Sequence, residues 1–451
     1  MRLTVQPGNP LRGEVTPPGD KSISHRAALI AALASGESRV GNFLVAGVTR
    51  SMLDALAALG VAWDLDGSTL SVQGAGLVGL RSPAAPIDCG NSATTLRLLA
   101  GALAAAGIAA VLDGSPGLRR RPMDRIIEPL RKMGVPVSAE NGQAPLVFSS
   151  RNTRLEALEY SLPVASAQVK SCLLLAGLAA SGPITLTEPE PSRDHTERML
   201  RSLGLSVMSE TGNGSLGYTT RLTPPHPFSL PPLRFTLPGD ISSAAFLVVA
   251  ALITPGSQIL LRDILLNPTR TGLLEALLAM GADLRISPTG ERHGEPLGDI
   301  LVRASTLRAM QVSGTLVVRM IDEFPAFAVA AAYAHGQTVV SDARELRYKE
   351  SDRIAAICSE LQRLGVNAHE TPDGFTISGG GFPRGETSRR ALQGGVVASH
   401  GDHRLAMALA VAGLASLEPV TVRGAEVLSE SFPDFAAVLK SLGAQVEVEH
   451  G

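Results

Sequence analysis

One arrangement of apolar and polar positions returns six times along the chain. A stretch with apolar residues three and four apart ends in Leu or Met followed by Gly, and a short alternating stretch comes next. The endings are Leu59-Gly60-Val61, Met133-Gly134-Val135, Leu203-Gly204-Leu205, Met280-Gly281-Ala282, Leu364-Gly365-Val366 and Leu442-Gly443-Ala444. The pattern predicts six helices, each stopped by a glycine in the left-handed position just past its end. A second kind of helix, Ala-rich and apolar on nearly every face, is predicted at residues 22–34, 91–105, 165–180, 241–253, 322–334 and 401–415. Helices apolar all round are buried ones. Paired alternating stretches around a turn, as at residues 370–375, close each repeat. Each repeat reads strand, helix, strand, helix and two strands, and its length of roughly 70 to 85 residues exceeds a solenoid repeat.

Six repeats make two sets of three. The expected fold class is α/β, with two globular domains, each of three βαβαββ units. Pro- and Gly-rich joins at residues 17–19 and 230–239 mark where the chain passes between them. One domain is then expected over residues 20–235 and the other over 1–19 and 236–451, with the opening strand Arg2–Gln6 in the second.

Composition agrees with buried cores and narrows the function classes. The chain has 451 residues, 45% hydrophobic and only 4% aromatic, so close-packed small side chains must fill the cores. The apolar runs at residues 98–112 and 244–253 are shorter than the ~18 residues a membrane span needs, and no secretory or transit segment is evident, so a cytoplasmic protein is expected. Three cysteines without a CxxC pair argue for reduced thiols. A net charge of −2 gives no general affinity for nucleic acid. The basic residues are overwhelmingly Arg, and Lys occurs only at Lys21, Lys132, Lys170, Lys349 and Lys440.

The polar residues gather at predicted helix starts. Lys21 and Ser22 precede one helix, with Arg26 a turn on; Gly90-Asn91-Ser92-Ala93-Thr94 opens another. Arg119, Arg120 and Arg121 run through Pro122 into a helix at Met123, and Ser166 and Gln168 open the third Ala-rich helix. Arg193 precedes a helix at Asp194, the segment from Lys349 to Arg353 opens a further one, and Asp402-His403-Arg404 opens the last. Cations complement helix C-termini, so cations at N-termini oppose the dipole unless a bound anion lies between them. Two carboxylates, Asp322 and Glu350, stand within this basic set, a combination suited to proton transfer on a phosphorylated substrate. Taken singly each motif has a plainer reading: Arg119 to Arg121 as a solvated patch, Asp322 as a helix cap, Glu350 as a charge partner, His25 and His403 as structural hydrogen-bonders. An ATP-type phosphate loop is excluded because Asp20 separates Gly19 from Lys21, and no His/Cys pattern with metal-ligand spacing occurs.

Taken together these segments resemble the EPSP synthases, and within them the branch called class II. The resemblance rests on Gly19-Asp20-Lys21-Ser22-Ile23-Ser24-His25-Arg26, Gly90-Asn91-Ser92-Ala93-Thr94, Arg121-Pro122-Met123, Ser166-Ala167-Gln168-Val169-Lys170-Ser171 and Arg193-Asp194-His195-Thr196-Glu197. It continues through Ile321-Asp322-Glu323, Lys349-Glu350-Ser351-Asp352-Arg353, Asp402-His403-Arg404 and Ser431-Phe432-Pro433-Asp434-Phe435. It implies the inside-out α/β fold of the enolpyruvyl transferases, with the active site in the cleft between the two domains. It also implies addition of the 5-hydroxyl of shikimate 3-phosphate to phosphoenolpyruvate (PEP), followed by loss of phosphate. No cofactor or metal is implied, and a monomer is the family default. By the same resemblance Lys21 contacts both substrates. Ser22, Arg26, Ser166, Ala167, Gln168, Arg193, Asp322 and Lys349 hold shikimate 3-phosphate, while Ala93, Arg121, Gln168, Arg353 and Arg404 hold PEP. Asp322 corresponds to the family's proton acceptor and Glu350 is the second proton-transfer group, with the division of steps between them left open. Bidentate guanidinium contacts suit a ligand carrying both carboxylate and phosphate.

Two positions depart from the class I pattern. Ala93 stands where glyphosate-sensitive members carry Gly, and Glu430 where they carry a PEP-site lysine; no role is assigned to Glu430. The nearest rival reading is the sister transferase acting on UDP-N-acetylglucosamine, whose reactive Cys lies on the loop before its Arg-Pro. The loop here, residues 113–122, has no cysteine. A non-catalytic RNA-associated or scaffold protein would explain the repeats but not the placement of Asp322 and Glu350.

Overall fold

The computed structural model describes residues 1–211, 217–380 and 392–450. The chain divides into two compact units, one of residues 19–237 with 291–295, the other of residues 1–18, 238–290 and 296–451. Six four-stranded sheets are formed among the described residues, three in each unit. Every sheet has the same plan. Two parallel strands lie side by side, and one of them also pairs antiparallel with a strand of a second, antiparallel pair. In the sheet at residues 158–222, for example, Leu158–Ser161 pairs parallel with Ile184–Glu188, and Tyr218–Leu222 lies antiparallel between that strand and Val207–Thr211. This is the α/β fold of βαβαββ units that the periodicity predicts.

All six helix-stopping glycines have φ between +80° and +106°, the left-handed region that a side chain rarely enters. The six Ala-rich helices run Lys21–Leu33, Ala93–Ala106, Ala167–Gly177, Ile241–Ile253, Phe324–Ala332 and His403–Ala412. Every residue of Ile241–Ile253 is buried, as an all-round apolar helix requires. Within each unit these helices pack on one another. Small residues allow it: a methyl added at Gly101 would lie 2.3 Å from the carbonyl oxygen of Cys172 on the neighbouring helix. Because each helix carries its polar residues at the start, packing the helices together collects those starts.

Strand Arg2–Gln6 lies in the middle of its sheet, antiparallel to both Val420–Arg423 and Gln445–Glu449. Two further strands have no counterpart in the sequence reading. Arg12–Val15 pairs parallel with Gln258–Leu265, and Arg234–Thr236 pairs parallel with Ser35–Gly41, each at a sheet edge. Both are short and polar, so no alternation betrays them. The segment from Lys349 to Arg353 also differs from expectation. It does not open a helix as a whole: a 3-10 turn ends at Tyr348, and the α-helix runs Arg353–Arg363 with Asp352 as its cap. Lys349 and Glu350 lie on the non-helical link between the two, which frees their side chains from helical spacing. Among the described residues no helix is long and apolar enough to cross a membrane.

Candidate active site

In the unit of residues 19–237, helix Lys21–Leu33 starts on Asp20, whose carboxylate accepts from the Ile23 amide at 2.8 Å. That cap leaves Lys21 and Ser22 on the first turn, both half-buried. Arg26, 3% exposed, ties three helices together. Its Nε donates to Thr196 Oγ1 at 2.7 Å, its Nη2 to Ser171 Oγ at 2.7 Å and its Nη1 to the Ser22 carbonyl at 2.9 Å. Gln168 is fixed from both ends. Its Oε1 accepts from Arg97, and its Nε2 donates to Thr94 Oγ1 at 2.8 Å. Arg97 also donates to the Pro122 carbonyl at 3.0 Å, beside Arg121. Ala93, Gln168 and the Arg121 segment are thereby brought together. Ser166 caps helix Ala167–Gly177, and Arg193 lies two residues before helix His195–Ser202, whose Thr196 holds Arg26. Arg119 pairs with Asp113 at the surface at 2.8 Å, the plain reading of the arginine run.

His25 adds a pH-sensitive element to this start. It is fully buried, with Nδ1 2.8 Å from the Lys21 carbonyl and Nε2 3.1 Å from the Val48 carbonyl. Burial, reinforced by the Lys21 and Arg26 charges, lowers its pKa to about 4. Since the folded value lies below the unfolded one near 6.5, the unfolded chain takes up the proton first. The contribution is therefore complete above about pH 6.5 and is lost as pH falls towards 4. The stability difference between roughly pH 7.5 and pH 5 should be about 2 kcal/mol smaller in His25→Gln than in the parent protein. Urea titrations at the two pH values measure it, and equal pH dependences would contradict the assignment.

The other unit carries the carboxylates. Asp322 lies two residues before helix Phe324–Ala332, whose cap position is Glu323, and meets three cations. Lys349 Nζ is 3.2 Å from Oδ1, Arg353 Nη1 is 3.4 Å from Oδ1, and Arg404 Nη2 is 3.8 Å from Oδ2. Arg353 is 1% exposed and also reaches Glu350 at 2.7 Å and Asp402 at 2.7 Å. Asp402 caps helix His403–Ala412 by accepting from the Arg404 amide at 2.9 Å. Burial alone would raise its pKa, and Glu350 adds to that. The Arg353 guanidinium outweighs both and holds it below the ordinary carboxylate range. The cluster thus balances three carboxylates against three cations, and the first unit contributes Lys21, Arg26, Arg97, Arg121 and Arg193. Guanidinium and ammonium groups suit the binding of phosphate and carboxylate, and the carboxylates suit proton transfer.

Asp402, singled out only as part of the last helix start, has no site role on sequence grounds, and Arg97 is not singled out at all. Asp402 could have been found as an N-cap placed before two cationic residues. Arg97 gives no signal, because only the fold brings Gln168 to it. The three cysteines are all buried. Burial pushes the Cys172 and Cys358 thiols up to about 12 and raises Cys89 as well, so no thiolate nucleophile is available. Among the described residues no group of His, Cys, Asp or Glu could hold a metal ion.

The model of the family described as EPSP synthase (3-phosphoshikimate 1-carboxyvinyltransferase) matches residues 5–439. The chain belongs to the EPSP synthase family. The 3-phosphoshikimate 1-carboxyvinyltransferase of Geobacter metallireducens is 46% identical over 444 residues, covering 98% of this chain and 99% of that protein. The one from Roseiflexus is 46% identical over 443 residues, 97% and 98% of the two chains. A solved EPSP synthase from Acinetobacter baumannii superposes with a TM-score of 0.87 at 41% identity, over the full length of both chains.

Proposed function

We propose that this EPSP synthase family member transfers the enolpyruvyl group of PEP to the 5-hydroxyl of shikimate 3-phosphate, a step of aromatic amino acid biosynthesis. The oxygen of the ring hydroxyl bonds to C2 of PEP as its proton leaves to a base and another proton reaches the PEP methylene. The tetrahedral product then loses a methyl proton and expels phosphate, which restores the enol double bond. Asp322 carries this reading. A part-exposed carboxylate with three cations within 4 Å can take the hydroxyl proton, while the cations compensate the charge on PEP. Glu350, beside Arg353, is the second proton-transfer group. Lys21, Ser22, Arg26, Ser166, Ala167, Gln168, Arg193 and Lys349 hold shikimate 3-phosphate, and Lys21, Ala93, Arg121, Gln168, Arg353 and Arg404 hold PEP. The enzyme is cytoplasmic and monomeric and needs no nucleic-acid partner.

Phosphate release from PEP tests the reading. Shikimate 3-phosphate should trigger it and UDP-N-acetylglucosamine should not; release with the nucleotide sugar alone, or with neither, would refute the assignment. Ala93 supports a second expectation. It is the first residue of its helix and 4% exposed, so its methyl occupies space beside Gln168 that an inhibitor longer than PEP would need. Ala93→Gly should lower the half-inhibitory concentration of glyphosate by ~10-fold or more at fixed PEP. An unchanged value would remove Ala93 from the inhibitor's path.

A further inference from the structure

Lys132, Lys170 and Lys440 have no part in the proposed chemistry; Lys132 and Lys440 are exposed, whereas Lys170 is wholly buried. Its Nζ lies 2.6 Å from Glu188 Oε2 and 2.8 Å from Glu197 Oε1, and all three side chains are 0% exposed. It also donates to the Ser192 carbonyl at 3.4 Å. Burial works against its charge, but Glu197 and Glu188 outweigh burial and hold the ammonium above its usual pKa. One cation therefore faces two carboxylates inside the core. Buried ionic groups of this kind are commonly no more stabilising than apolar side chains of the same size, so stability alone does not account for them.

The bonds of Glu188 suggest what they are for. Its Oε1 accepts from the Ser166 amide at 3.0 Å and from Ser192 Oγ at 2.6 Å, while Oε2 is held by Lys170. Ser166 is the cap from which Ala167 and Gln168 continue, and Ser192 is the residue before Arg193. A single carboxylate, at the end of strand Ile184–Glu188, thus fixes two separate loops. Each loop carries residues expected to hold the phosphorylated ring. Lys170 fixes the carboxylate in turn, and Glu197, on the first turn of helix His195–Ser202, keeps Lys170 in place. The negative charge also sits at the start of helix Ala167–Gly177, where the dipole favours it.

We infer that Glu188, locked by Lys170 and Glu197, is a positioning residue that sets the spacing of the Ser166–Gln168 and Arg193 loops for shikimate 3-phosphate. This rests on the reading of those loops given under Proposed function. Glu188 touches no substrate; it acts through Ser166 and Ser192. Glutamine in its place keeps the shape but turns an amide group towards the Lys170 ammonium and loses the charge-assisted bonds.

Steady-state kinetics on the full chain test this. Glu188→Gln should raise the KM for shikimate 3-phosphate by ~10-fold or more, with kcat and the KM for PEP changed by less than about threefold. Ser192→Ala cuts only the tie to the Arg193 loop, carries no charge change, and should raise the same KM by ~3-fold or more. It decides the matter if Glu188→Gln does not fold. Arg193→Ala and Gln168→Ala are run alongside. If they raise the KM for shikimate 3-phosphate while Glu188→Gln and Ser192→Ala lower only thermal stability, the positioning role is overturned and the site reading stands. If Arg193→Ala and Gln168→Ala leave that KM unchanged, the site reading fails and the positioning role falls with it.

Discussion

Exchange of Asp322 for asparagine should leave a folded protein whose turnover is lower by ~10²- to 10⁴-fold, the range that removal of a positioned general base produces. Asparagine keeps the size and the hydrogen-bonding oxygen that Lys349 and Arg353 approach at 3.2 and 3.4 Å, but it takes no proton. Asp322 is only part-buried, and its neighbours would gain solvent in place of the lost charge, so folding should be little affected. The decisive comparison is kcat against binding. Calorimetric affinity for shikimate 3-phosphate should change by no more than about tenfold while phosphate release falls far more. A variant that binds and turns over with equal, small losses would mean that Asp322 only orients the substrate, and Glu350 would become the remaining base.

The second large effect is expected at Arg353, and it falls on stability as well as activity. Arg353 is 1% exposed and lies within 3.4 Å of Asp322, Glu350 and Asp402. Arg353→Met keeps much of the volume but strands the fully buried Asp402 carboxylate, and breaking a buried pair in this way costs about 3–5 kcal/mol. The sign of the pH dependence separates this cause from simple misfit. In the parent protein Asp402 is held below its ordinary pKa, so its pairing contributes above the unfolded value and fades as pH falls through the folded one. Without the guanidinium, burial raises that pKa instead, and acid relieves the variant by protonating the stranded group. The gap in unfolding free energy should therefore narrow from roughly pH 7.5 to pH 5. A gap that is constant with pH would point to lost packing rather than a stranded charge. No shikimate 3-phosphate-dependent phosphate release should remain above the assay floor at ordinary PEP.

Much of this architecture was legible because it repeats. Each helix end in Leu or Met followed by Gly encodes a local backbone requirement, and all six glycines meet it. Likewise the all-round apolar character of Ile241–Ile253 needs no knowledge of its neighbours to announce burial. What stayed hidden depends on partners distant in sequence. Strand Arg234–Thr236 exists because Ser35–Gly41 offers it an edge. Gln168 is aimed by Arg97, 71 positions away, and Arg353 is held by Asp402, 49 positions away. The neighbours of Lys349 look helical in sequence, but the helix starts only at Arg353, behind its cap Asp352 and five residues after the preceding 3-10 turn ends. Local physics marks elements; the contacts that tune a site are written across the chain.

The central place of Arg2–Gln6 in its sheet has a consequence for how the protein is made. That strand is made before residues 19–237, whereas both of its neighbours, Val420–Arg423 and Gln445–Glu449, are made after them. The unit of residues 19–237 with 291–295 can fold before those neighbours appear, while the strand waits for them, unpaired and exposed to chaperones.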